Sequence, residues 1–298
     1  MNRLPLALLA VALAAAAGCA TDATREPMVS NATGAALDAA IAGAWRDPAN
    51  VARDVHRHPK ETLSFFLVRP DQTVIEITPG AGWYTEILAP YLREQGRYVA
   101  AVVDPASQDN ERARTYYANA RTQLEAKIAA DPARYDRARV IAFDPKRPVF
   151  GPPGSADVVL TFRNVHNWRS GGYAEAMFKG FFDVLKPGGV LGVVEHRAKG
   201  DVPADDRSGY VGEAQVIAMA QAAGFVLDGS SEINANPKDT KDHPNGVWTL
   251  PPTNRHDPQD AEKYRAIGES DRMTLRLRKP GGRESGTGNR EPGIGNRE

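Results

Sequence analysis

VIEITPGAGWYTEIL, residues 74–88, reads as a buried strand, a glycine turn and the start of a helix in immediate succession. Val74, Ile75 and Ile77 form a short apolar run between Asp71 and Pro79, the pattern of a strand covered on both faces. Glu76 sits near its carboxyl end. Pro79, Gly80, Ala81 and Gly82 then leave no bulky side chain between the strand and a ligand lying against the backbone, and a helix from about Trp83 would aim free N–H groups at it. A parallel α/β sheet holds a nucleotide-like cofactor at such a turn.

The chain has 298 residues, 42% hydrophobic and 25% charged, enough for one large α/β domain or two small ones. Lys+Arg and Asp+Glu are equal at 37 each, so the net charge gives no electrostatic case for a nucleic-acid partner or an acidic membrane, while leaving room for a locally basic patch. The sole cysteine, Cys19, excludes an internal disulfide and a cysteine-based zinc site. Arg3, the apolar stretch from Leu4 to Gly18, and Cys19 directly after Ala16, Ala17 and Gly18 resemble a bacterial lipoprotein signal. That resemblance implies export to the cell envelope, periplasmic or outer-membrane-anchored, with Cys19 lipidated as the membrane anchor. Ala16, where such signals more often carry Leu, leaves open ordinary cleavage after Ala15–Ala17; an uncleaved anchor or a misplaced start codon, and with it a cytoplasmic protein, is the bland alternative. Residues 20–34 read as a tether, residues 35–280 as one folded domain, and residues 281–298, which repeat Gly-Asn-Arg-Glu and are almost devoid of apolar side chains, as a disordered tail.

Within the domain, strand-like and helix-like segments alternate, which implies a mainly parallel sheet with helices on both faces. After the first strand come a helix from Trp83 to Leu92 and strands at 98–103, 139–143, 156–162 and 190–195, with a sixth opening at Phe225. Tyr117, Ala120, Leu124 and Ile128 recur at helical spacing, and a further helix, Tyr173 to Leu185, carries Met177, Phe178, Phe181 and Phe182 toward the core. Residues 272–278 (RMTLRLR) alternate charged and apolar, the pattern of a half-exposed last strand.

Ligands of open parallel sheets lie at the carboxyl ends of the strands. Glu76 with the glycine turn ends the first strand, Asp104 the second, Asp144 the third, and Arg163 with Asn164 the fourth. An acid at the end of the second strand, about 20 residues beyond Gly82, is placed to accept both ribose hydroxyl protons. By itself that suits NAD or S-adenosylmethionine alike. A dinucleotide fold needs G-x-G-x-x-G, and the run Thr78-Pro79-Gly80-Ala81-Gly82-Trp83-Tyr84 lacks its third glycine.

The run resembles instead motif I of the class I S-adenosylmethionine-dependent methyltransferases, with Glu76 as its acid, Gly80 and Gly82 as its later glycines and Thr78 in place of the first. LKPGGVLGVVEHR, residues 185–197, resembles the helix-turn-strand hallmark of the same family. More narrowly, PGAGWYTEILAP, FRNVHNW and LKPGGVLGVVEHRA look like a bacterial group of methyltransferases without assigned substrates. The resemblance covers about residues 70–230 and implies a three-layer Rossmann-like sheet of order 3-2-1-4-5-7-6 with an antiparallel seventh strand. It further implies S-adenosylmethionine as cofactor. Glu76 would meet its cationic amino-acid end, Thr78, Pro79, Gly80, Ala81 and Gly82 its backbone cradle, Asp104 its ribose and Asp144 its adenine. Tyr84, Arg163 and Asn164 complete the expected cofactor set, although Trp83 and Tyr84 serve equally as mass packed on the sheet.

Methyl transfer from a sulfonium is an in-line displacement, and a base is needed only where the acceptor starts protonated. His166, two residues after Asn164 at the mouth of the fourth strand, is the candidate; capping of the next helix or packing on Trp168 is the bland alternative. Glu195 and His196 form a second pair near the same crevice, unless they pair with Arg197 or Arg163. No metal site is expected: His56 and His58, two apart, point to different sides of a helix. The loop from Asn234 to Asp271, with His243, Trp248 and His256, is too long for a mere connection and reads as a cover over substrate. The leading expectation is methyl transfer to a small-molecule or envelope acceptor. A noncatalytic envelope protein with the same sheet is the alternative, and NAD-dependent redox chemistry is disfavoured by the glycine spacing.

Overall fold

In a computed structural model, residues 31–281 are described. Helices α1 (Asn31–Ile41), α2 (Pro48–Val51), α3 (Asp54–Arg57) and α4 (Pro59–Phe65) precede the sheet. The sheet strands are β1 (Thr73–Ile77), β2 (Arg97–Val103), β3 (Arg139–Phe143), β4 (Ala156–Phe162), β5 (Leu185–His196), β6 (Val226–Ser231) and β7 (Arg272–Arg278). Between them run α5 (Thr85–Leu92), α6 (Glu111–Ala130), α7 (Pro132–Tyr135), α8 (Val165–Gly171), α9 (Ala174–Val184), α10 (Glu213–Ala222) and α11 (Ala261–Ile267). The signal, Cys19 and the tail beyond Gly281 lie outside the described residues, and α1 takes in residues 31–34 of the expected tether.

The seven strands pair in the order β3-β2-β1-β4-β5-β7-β6. All neighbours are parallel except β5–β7 and β6–β7, which are antiparallel. Both the order and the antiparallel strand are those the sequence led to expect. Alternation along each strand divides the core: Ile75 and Ile77 face a cluster with Val193, Met177, Phe178 and Phe181, whereas Val74 faces one with Phe66, Ile87, Leu88 and Tyr98. Helices α8–α10 cover the first face, and α1, α4, α5 and α6 the second.

Two local expectations need correction. Strand β5 begins at Leu185, so the Pro187–Gly189 turn lies within the strand assignment instead of before it. Strand β7 is buried, not half exposed. Its position between β5 and β6 removes both edges from solvent, and its arginines are accommodated by carboxylates: Arg276 Nε donates to Asp228 Oδ2 at 2.6 Å, and Arg272 pairs with Glu269. The alternation RMTLRLR therefore marks paired buried charge on one face.

Gly192, in the middle of β5, is a close-approach glycine. A Cβ there would sit 2.7 Å from the Phe66 ring and 2.8 Å from Leu160 Cδ2, both fully buried side chains. Gly192→Ala is expected to destabilise the domain by about 1–3 kcal/mol through overpacking, read as a lower urea midpoint at unchanged slope.

Candidate functional site

The sheet order reverses at β1: β2 lies on one side and β4 on the other, and the crevice opens between their carboxyl ends. A cleft of about 900 Å³ occupies this position. Its floor is the turn Thr78–Ala81 with Phe162, Arg163 and Asn164, and its rim comes from Asn110, Tyr116 and Tyr117 at the start of α6. The Asn234–Asp271 segment supplies Val247, Trp248, Pro251, Pro252, Thr253 and Ser270.

That segment is a fixed wall. Buried Asp239 accepts from the Tyr210 hydroxyl (2.9 Å), the Asp271 N–H (2.8 Å) and the Lys241 N–H (2.9 Å), and meets His243 Nε2 at 2.9 Å. Asn234 Nδ2 donates to Thr62 Oγ1 and Thr274 Oγ1, each at 3.0 Å, and Asn236 Nδ2 donates to the Ile267 and Glu269 carbonyls. The sequence reading of a covering loop agrees with its position.

Backbone conformation shapes the floor. Gly80 has φ +60 with nothing within 4 Å of an added Cβ, so the turn leaves open space above it. Thr78, standing where the resembled motif has glycine, adopts φ 51, and Arg163 at the end of the neighbouring strand adopts φ 62. Two non-glycine residues thus hold the left-handed region side by side, each at a cost of about 1 kcal/mol or more. The Thr78 N–H donates to the Ala101 carbonyl (2.8 Å) and the Arg163 N–H to the Val194 carbonyl (2.7 Å), while Asn164 Nδ2 donates to the Ile77 carbonyl at 3.1 Å. These bonds anchor the strained ends to adjacent strands.

Of the expected cofactor residues, Thr78, Pro79, Gly80, Ala81, Arg163 and Asn164 line the cleft. Gly82, Tyr84, Asp104, Asp144 and Glu76 do not. Tyr84 is buried and stacks on Phe162 at 3.8 Å, the packing role weighed for it. Asp104 accepts from the Ala106 N–H (3.0 Å) and Asp144 from the Lys146 N–H (2.9 Å), so each carboxylate caps its own turn. Both remain half-buried at the ends of β2 and β3.

Glu76 departs most from expectation. It shares a strand face with Val74, beneath α5. The Tyr98 hydroxyl donates to its Oε2 at 2.6 Å, and the Tyr98 and Thr85 hydroxyls are 2.7 Å apart. Burial pushes its pKa up to about 7 against the pull of those hydrogen bonds. Its carboxyl is therefore enclosed and away from the cleft.

His166 and Glu195 form a dyad. Glu195, fully buried at the end of β5, has Oε1 at 3.0 Å from His166 Nδ1, and its Oε2 accepts the His166 backbone N–H at 3.2 Å. An ionised Glu195 fixes the tautomer with the proton on Nδ1, which leaves Nε2 without a hydrogen bond among the described residues. The Trp248 ring lies edge-on to the imidazole at 5.4 Å. His196 lies 5.4 Å from His166 between ring centroids and meets Ser270 Oγ at 2.5 Å; burial, then His166 and nearby arginines, hold it well below the ordinary imidazole pKa. Glu195 thus pairs with His166, and Arg197 pairs instead with Glu232 and Asp271.

Each of His166, Glu195 and His196 offers an atom within 4.8 Å of the others, a spacing a metal ion could use. The Glu195 oxygens are already taken by His166 and the His196 N–H, however, and Arg53, Arg57, Arg112, Arg163, Arg207 and Arg272 line the same cleft with no carboxylate among its lining residues. Coulomb repulsion from six arginines disfavours a divalent cation there.

No protein-family model and no curated protein sequence matches this chain. Solved structures do resemble it. A SAM-dependent methyltransferase from Aquifex aeolicus superposes with a TM-score of 0.50 at 14% identity, over 83% of this chain and 98% of its own. The [4+2]-cyclase SpnF superposes with a TM-score of 0.52 at 15% identity, over 84% and 94%. At such identities the likeness is one of fold: the chain has the Rossmann-like methyltransferase sheet, and proteins named for two different reactions share it.

Enclosure of Glu76 has a measurable consequence. Between its ordinary value of 4.5 and about 7, the folded protein holds a proton that the unfolded chain releases, so stability falls as pH rises through that window. Glu76→Gln, neutral at every pH, lacks this slope. Wild-type stability relative to the variant is expected to fall by up to about 3 kcal/mol from pH 4.5 to 7.5 in urea titrations.

Proposed function

We propose that this chain is an S-adenosylmethionine-dependent methyltransferase acting on a small-molecule acceptor, with His166 as general base. The observation that carries the reading is the His166–Glu195 dyad on the wall of a cleft whose floor is the open glycine turn. The volume suits a cofactor and a small acceptor together, and the space above Gly80 suits a ligand pressed against backbone. Thr78, Pro79, Gly80 and Ala81 would hold the cofactor along the turn, with Asp104 and Asp144 available at its far end. When bound, S-adenosylmethionine supplies a methyl group on sulfonium, open to in-line displacement.

The chain's own part is positional and protonic. His166 Nε2 takes the proton from the acceptor's nucleophilic atom as that atom bonds to the transferred methyl carbon, and Glu195 stabilises the resulting imidazolium through Nδ1–H. Trp248 and the Pro251–Thr253 segment wall the site from water, which strengthens that ion pair. The signal-like residues 1–19 support a place in the cell envelope, with Cys19 as lipid anchor. The enclosure of Glu76 favours a second reading, a noncatalytic envelope protein, since the motif acid cannot reach a ligand without rearrangement.

Calorimetry on the full chain separates the two. S-adenosylhomocysteine is expected to bind the wild type and His166→Gln equally and to be lost in Gly80→Asp. With labelled cofactor and a cell-envelope extract as acceptor source, His166→Gln and Glu195→Gln are each expected to slow methyl incorporation by about 10²–10⁴-fold. Failure of the wild type to bind S-adenosylhomocysteine would sink the methyltransferase reading.

A further inference from the structure

The positive charge of the cleft is only partly compensated by the protein. Arg53, Arg57 and Arg272 converge on one carboxylate, Glu269: Arg53 Nε is 2.6 Å from Oε1, Arg57 Nε 3.5 Å from Oε2, and Arg272 Nη2 donates to Oε2. Burial opposes ionisation of Glu269, but Arg272, Arg57 and Arg53 outweigh it and hold its carboxyl well below the ordinary range. One negative charge thus faces three positive ones. Arg163, entering from the end of β4, makes no side-chain hydrogen bond or ion pair with any described residue.

Donors are also left over. Arg57 is 4% exposed and Arg272 3%. The Nε of each, and Nη2 of Arg53, are buried without a hydrogen-bond partner among the described residues. Leaving such a donor unpaired costs about 1–3 kcal/mol, more when it belongs to a charged group. Arg57 additionally lies over the Trp83 ring at 4.6 Å, which fixes the guanidinium in place. Burial and the mutual repulsion of Arg163, Arg272, Arg53 and Arg57 lower the affinity of Arg57 and Arg163 for their protons, and Arg163 is pushed down to about 10. Arg163 also sits in a left-handed backbone conformation and lines the crevice. Strain, unpaired donors and like charge gathered at one spot are costs that a bound anion offsets.

The cofactor does not supply enough negative charge to do so. S-adenosylmethionine carries a sulfonium, an ammonium and one carboxylate, so it brings net positive charge into an already positive cleft. We infer that Arg57, Arg163 and Arg272 seat a carboxylate or phosphate group of the methyl acceptor, whose nucleophilic atom then faces His166. This rests on the methyltransferase reading and narrows it: the acceptor is a small anion, and the arginines select it by planar, charge-assisted hydrogen bonds.

The test uses the full chain, with inorganic phosphate and acetate as separate probes, each titrated with and without saturating S-adenosylhomocysteine. One or both are expected to bind the wild type, and to bind at least as well when S-adenosylhomocysteine is present. In Arg163→Asn, a residue that accepts the left-handed backbone, anion affinity measured without S-adenosylhomocysteine is expected to fall about tenfold or more. Arg163→Lys is expected to recover part of the loss through charge alone, and its melting curve reports folding independently. Unchanged anion binding in Arg163→Asn overturns the inference. So does competition between the anion and S-adenosylhomocysteine, which would give the arginines to the cofactor's own carboxylate. If S-adenosylhomocysteine does not bind at all while the Arg163-dependent anion site persists, the methyltransferase reading fails and the anion site stands apart from it.

Discussion

Everything in this site follows from the reversal of strand order between β1 and β4. Because β2 is added on one side of β1 and β4 on the other, the chain leaves these two strands in opposite directions and no crossover can close the gap above them. The ends of both strands are then bent back by left-handed residues, Thr78 and Arg163, whose N–H groups bond to the next strand outward, at Ala101 and Val194. The Asn164 amide ties one end to the other through the Ile77 carbonyl. A rigid, strained floor results, and the loops of the C-terminal half need only wall it in.

Strand parity decides which motif side chains serve chemistry and which serve packing. On β5, Glu195 shares a face with Leu191 and Val193 and lies under α8, where His166 sits in the first turn. That is why the dyad forms between residues far apart in sequence. On β1 the same rule sends Glu76 to the opposite face, under α5 and against Tyr98. Two acids on the strands that flank β4 thus have different fates: one orients a histidine on the cleft wall, and the other is sealed in the core with its proton more tightly held.

The architecture was legible because it depends on local signals. Apolar runs of strand length, the glycine turn and helical spacing in residues 117–128 and 177–185 each report on a few consecutive residues and place the strands within a few positions, whereas the sheet order followed from the family resemblance. His166 was legible as a cleft residue for the same reason, standing two residues after Asn164 at the mouth of β4. Its partner was not. The reading set Glu195 beside His196, its neighbour in sequence, whereas the side chain faces His166 across the sheet edge.

The arginine cluster was invisible for a stronger reason. Arg53 and Arg57 come from the start and end of the short helix α3 before the sheet, Arg163 from just beyond β4, and Glu269 and Arg272 from the far end of the chain, so no window of sequence contains even half the group. Composition was actively misleading: equal totals of 37 acidic and 37 basic residues describe a neutral protein and say nothing of where the charges gather. The alternation in β7 came closest to a signal. Arg272, Arg276 and Arg278 on one strand face suit a solvated surface, but here the segment around His56 and Phe65 covers that face, its carbonyls accepting from Arg272 Nη1 and Arg276 Nη1, and a buried arginine needs an anion. Asp228 answers Arg276 and Arg278 within the protein, whereas Arg272 shares a single glutamate with two other arginines and looks into the cleft. The cover on that strand face thus turns a pattern that reads as surface into a demand for a negative charge at the site, and that demand falls on whatever the cleft binds.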